Sequence, residues 1–91
     1  FRRRWVEDHT RLSAQLPGLK GYRINIALPD QPEENKVDGV VPYDGTAELW
    51  FDSLDEMDAS FSSEIGQKAG ADADEFADVR IHIFTEEFVV K

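Results

Sequence analysis

Trp5, His9, Leu12 and Leu16 recur at the spacing of one helix face, setting a single ionisable ring in an otherwise apolar stripe. A free imidazole changes charge between about pH 5 and 8, so such a ring can accept a proton at working pH. Tyr22 then opens the alternating run Tyr22-Arg23-Ile24-Asn25-Ile26, whose phase puts its ring on the face of Ile24 and Ile26. A helix lying on a sheet turns its apolar stripe toward the sheet, so two independent periods point His9 and Tyr22 into one interior. The chemistry open to this pair is proton abstraction next to a carbonyl. His9 acts as the base, and the Tyr22 hydroxyl steadies the oxygen as charge develops. Trp5 supplies an aromatic wall, and Leu12 and Ile24 complete a small apolar binding surface. The competing reading is a core histidine satisfied by a backbone carbonyl.

The other histidine, His82, falls on the opposite strand face with Arg80 and Phe84, where an interface explains it better than catalysis. Arg23, Asn25, Glu48 and Trp50 share that face. A metal site built from His9 and His82 requires both on one face, so no metal is expected. The acids Asp52, Asp55, Glu56, Asp58, Glu64, Asp72, Asp74, Glu75 and Asp78 are opposed within their stretch only by Lys68, and read as a solvated face. The Ca²⁺ spacing of an EF-hand, with its central Gly and terminal Glu, is missing.

The elements that must position these residues follow from periodicity. Residues 1–16 read as an amphipathic helix stopped by Leu16-Pro17-Gly18, and residues 22–28 as a half-buried strand. Residues 29–45 form a long polar loop with Pro29, Pro32, Gly39 and Pro42, to be read either as a cover over a pocket or as a disordered connection. A second strand spans 46–52. Ser53-Leu54-Asp55-Glu56 then fits a capping box, opening a helix whose buried stripe is Leu54, Met57 and Phe61. Gly66 and Gly70 break the pattern before a short helix over Asp72–Asp78 anchored by Phe76, and residues 79–90 read as a last strand. The order helix, strand, strand, helix, strand becomes βαββαβ, the ferredoxin-like unit, if one strand precedes Phe1. The expected class is therefore α+β, an antiparallel sheet with helices on one face and its first strand outside this sequence.

Ninety-one residues make one domain, 1–91. A net charge of −9 argues against nucleic acid, whose phosphates require clustered Lys and Arg. No apolar run approaches the roughly 18 residues of a membrane span. The absence of cysteine removes disulfides, thiolate metal sites and thiol nucleophiles, and suits a reducing, cytoplasmic setting.

Trp5-(x3)-His9, Leu16-Pro17-Gly18 leading to Gly21-Tyr22, and Tyr43-Asp44-Gly45-Thr46-Ala47-Glu48-Leu49-Trp50-Phe51 together resemble the EthD family of dimeric α+β barrels. Ala69-Gly70-Ala71-Asp72-Ala73-Asp74-Glu75-Phe76 and Glu86-Glu87 extend the resemblance over the whole chain. The resemblance implies a homodimer with sheets packed face to face, and a small pocket between each sheet and its own helices. In the methylmuconolactone isomerase branch of that fold, a helix histidine and a strand tyrosine line the pocket, and His9 and Tyr22 match those positions. That branch also uses cysteines, and this chain has none.

Two functional readings follow. One is a cofactor-free enzyme acting on a lactone, phenolic or polyketide-like substrate by His9/Tyr22 acid–base chemistry. The ether-degradation setting of the family adds an oxidoreductase association. The alternative is a non-catalytic homodimeric binding or accessory protein for a small apolar or aromatic metabolite.

Overall fold

A computed structural model describes all residues, Phe1–Lys91. The first helix, α1, is π-helical over Arg4–His9 and continues as α-helix over Thr10–Ser13. The Thr10 hydroxyl donates back to the Val6 carbonyl at 2.6 Å, a bond that competes with the regular backbone ladder. The helix ends at Ser13, three residues before the expected stop. Tighter turns then carry the chain through Pro17 to Gly18, whose φ of 75° suits a residue without Cβ.

Strand β1 (Gly21–Ile26) pairs antiparallel with β2 (Gly45–Trp50), with Tyr22 opposite Leu49 and Ile24 opposite Ala47. Tyr22, Ile24 and Ile26 are half-buried while Arg23 and Asn25 are exposed, the alternation expected of a half-covered strand. On the open face, Asn25 donates to Glu48 at 3.2 Å and the Arg23 guanidinium lies 5.4 Å from the centre of the Trp50 ring. The loop between the strands holds a 3-10 turn, Glu33–Asn35, and a tight reversal closed by the Val37–Val40 bridge. Asp38 and Gly39 at its tip both have positive φ, the geometry that matches a twisted hairpin.

Helix α2 (Leu54–Ser62) starts where the capping pattern puts it, with Ser53 Oγ accepting from the Glu56 amide at 3.1 Å. Its expected buried stripe is largely at the surface: Leu54 is 61% and Phe61 40% exposed, and the one buried residue is Ser60. Phe61 still meets Phe51 edge to face, 5.6 Å between centroids.

The glycines do not break the next helix. Helix α3 (Glu64–Phe76) runs through both, and the interruption falls at Ser63, which ends α2 and caps α3 by accepting from the Gly66 amide. Gly66 is there because the chain passes too close for anything larger: a Cβ would stand 2.3 Å from the Ser60 carbonyl oxygen.

Residues 79–90 are not a strand. Alternation is necessary but not sufficient, since a strand also needs a hydrogen-bonding neighbour, and the sheet contains only β1 and β2. The side chains of Ile81, Ile83, Phe84, Phe88, Val89 and Val90 are accordingly exposed. Two side-chain contacts tie the segment down: the Trp50 indole N–H donates to Glu87 at 2.7 Å, and the Arg80 guanidinium pairs with Asp74 on α3. The result is an α+β, ferredoxin-like arrangement, with α1 packed on α3 and the sheet beneath.

Candidate functional site

His9 lies buried between α1 and α3, with 11% of its side chain exposed. Its partner is a carboxylate, not the backbone carbonyl of a passive core histidine: Nδ1 stands 2.8 Å from Asp72 Oδ2. The Phe76 ring meets the imidazole edge to face at 5.2 Å. Asp72 also accepts from both guanidinium nitrogens of Arg4: Nη1 to Oδ2 at 3.1 Å, and Nη2 to Oδ1. Arg4 reaches Glu75 at 3.3 Å and sits 5.1 Å over the Phe76 ring.

The π-helical turn explains how two residues of α1 reach one carboxylate. In a regular α-helix, residues five apart diverge by about 140° around the axis. Bonding from i to i+5 brings such residues onto one face, and Arg4 and His9 are five apart within that stretch.

Electrostatics fix the state of the acid. Its hydrogen bonds with Arg4, then with His9, hold the Asp72 carboxyl down at about 2 from an ordinary 3.8. The same carboxylate pushes the Arg4 guanidinium up. An ionised carboxylate only accepts hydrogen bonds, so the proton between them belongs to His9 Nδ1. In the neutral ring this leaves the lone pair on Nε2, the tautomer of a general base.

Tyr22 is joined to the helix through Ser13, which is buried. Ser13 Oγ donates to the His9 carbonyl at 3.1 Å, so the 2.8 Å bond with Tyr22 is donated by the phenol. This confirms the face assigned to Tyr22 and links it to His9 by one residue rather than by direct contact. Trp5 is half-buried, edge-on to Phe1 at 5.7 Å and close above Gly45, where a Cβ would stand 3.0 Å from its ring. Leu12 and Ile24 are half-buried. Two cavities lie elsewhere. One of about 340 Å³ lies between the β1–β2 loop and the strand ends, beside Ile26, Gln31, Val41 and Tyr43. Another of about 250 Å³ holds Asp74, Ala77, Asp78, Arg80 and His82. The long loop thus borders the first cavity, and exposed His82 sits near the end of α3.

Asp72 is the site residue that sequence reasoning passed over. The acidic stretch is not a uniform solvated face: Asp72 is drawn inward by Arg4 and His9, while Glu64 pairs with Lys68 and Asp74 with Arg80. The available signal was small neighbours, Ala69 and Ala73, which are buried on the same helix and let α1 approach.

The fold and this cluster define a small α+β protein with a histidine, an aspartate and an arginine joined between two helices. The EthD domain model matches residues 1–80, and the chain belongs to the EthD family. The crystal structure of an ethyl tert-butyl ether d (EthD) family protein from Bacillus halodurans C-125 superposes with a TM-score of 0.70 at 21% identity. That match covers 85% of this chain and 71% of the other, and establishes the likeness of fold. Comparison with curated proteins finds no significant match. No helix is long and apolar enough to cross a membrane.

Proposed function

We propose that this EthD protein is a cofactor-free acid–base catalyst in which His9 Nε2 removes a proton next to a carbonyl. The observation that carries the reading is the 2.8 Å contact of Nδ1 with an ionised Asp72, which fixes the tautomer and turns the free lone pair to Nε2. Tyr22 stabilises the developing oxygen charge, its hydroxyl turning from Ser13 to the substrate. Trp5, Leu12 and Ile24 supply the apolar surface. A lone positioned base contributes about 10²–10⁴ in rate, which is enough only for an acidified C–H. Lactones, phenolics and polyketide-like carbonyl compounds have one. A simple dialkyl ether does not, so the reading points to a carbonyl-bearing product of ether breakdown, not to the ether. The functional unit is a homodimer joined through the open sheet face of Arg23, Asn25, Glu48 and Trp50, in keeping with its polar and aromatic surface.

A second reading, a non-catalytic binding or accessory protein, is favoured by one observation: the Tyr22 proton is already committed to Ser13. His9→Gln and His9→Ala separate the two on a panel of lactones and phenols, with binding followed by calorimetry. Catalysis predicts turnover lowered by about 10²–10⁴ with affinity kept. Full activity in His9→Ala refutes it, and equal binding without turnover in wild type and His9→Gln establishes the second reading.

A further inference from the structure

We propose that Arg4 is a positioning residue that tunes His9 through Asp72, dividing one carboxylate between a guanidinium and an imidazole. The proposal rests on His9 as the base. An aspartate alone beside a histidine orients the ring but also favours its charged form, which cannot accept a proton. Arg4 separates the two effects. Its Nη1 shares Oδ2 with His9 Nδ1, at 3.1 and 2.8 Å, so the oxygen that orients the ring is partly neutralised by a second donor. Its Nη2 takes the other oxygen and Glu75 as well.

The guanidinium is held from two sides. Phe76 lies under it at 5.1 Å and also meets the His9 ring at 5.2 Å, so cation and imidazole pack about one aromatic side chain. A planar fork can bridge two carboxylate oxygens, which a lysine ammonium cannot do with the same geometry. The π-helical turn presents Arg4 and His9 to Asp72 together. The groups facing His9 are few: Arg4 and the Ser13 hydroxyl from α1, Asp72 and Phe76 from α3 with Glu75 behind Arg4, and Tyr22 from β1 through Ser13. Of these, Asp72 favours the imidazolium and Arg4 opposes it.

The test is an NMR titration of the imidazole carbon in histidine-labelled protein, with exposed His82 as the internal reference. Arg4→Met removes the opposing charge while Asp72 stays ionised, so the His9 midpoint moves up by about one pH unit. Asp72→Asn removes the favouring charge, and the midpoint moves down. Opposite signs support the proposal, because general loosening of the helix pair would move both variants the same way. Arg4→Gln, which still donates to Asp72 without a charge, serves where Arg4→Met does not fold, and it too must move His9 upward. An unmoved or lowered midpoint in the folded Arg4 variant overturns the proposal. Since no substrate is present, this outcome is independent of whether His9 supports turnover.

Discussion

Replacing Asp72 by Asn tests the ion network at its centre. In the native chain the Asp72 carboxyl is held at about 2 against 3.8 when unperturbed. A group depressed in this way stabilises the fold fully above the unperturbed value, and the contribution disappears as pH falls through the native one. At roughly 1.36 kcal/mol per pH unit the difference is worth at most about 2.4 kcal/mol. The side chain is 21% exposed, and water screens part of that, leaving about 1 kcal/mol. Urea denaturation of wild type and Asp72→Asn between pH 7 and 2.5 measures it directly. The wild-type advantage should be about 1 kcal/mol at pH 7 and 5, then fall by more than half by pH 2.5. Taking the difference between the two proteins cancels the other carboxylates. An advantage that stays constant across this range would refute the reasoning, because the stabilisation would then come from packing rather than charge.

Two further substitutions probe the supports of the site. Gly66→Ala should cost at least about 2 kcal/mol in urea denaturation, because its Cβ would fall 2.3 Å from a backbone oxygen and α2 and α3 must part. Unchanged stability would show that α2 and α3 can part at this junction at little cost. Tyr22→Phe should cost about 1 kcal/mol through loss of the bond to buried Ser13, with the change in urea midpoint as the measure. It should also slow any turnover that depends on His9.

Local patterns made half of this site legible. The helix period carried His9 inward and the strand period put Tyr22 on the covered face, since both follow from backbone geometry within a few residues. Ser53 announced α2 for the same reason. Asp72 was not legible, because what distinguishes it from Asp74 or Asp78 is a pairing with Arg4 across 68 residues of chain. Nor was α3 through Gly66, where the usual breaker is retained for a close approach visible only in three dimensions. The alternation over 79–90 states what the segment could become beside a strand, whereas its structure depends on which neighbour is present.

The contact between His9 and Asp72 spans 63 residues of chain. Closing so long a loop is entropically unfavourable until the elements between are in place, so this pair forms with the non-local packing rather than ahead of it. The His9–Asp72 pair therefore depends on assembly of the elements between them. A chain in which α1 has come away from α3 has lost the contact that orients the His9 imidazole. Local opening at the amino-terminal end would break this pair before global unfolding, and amide exchange in α1 would report it.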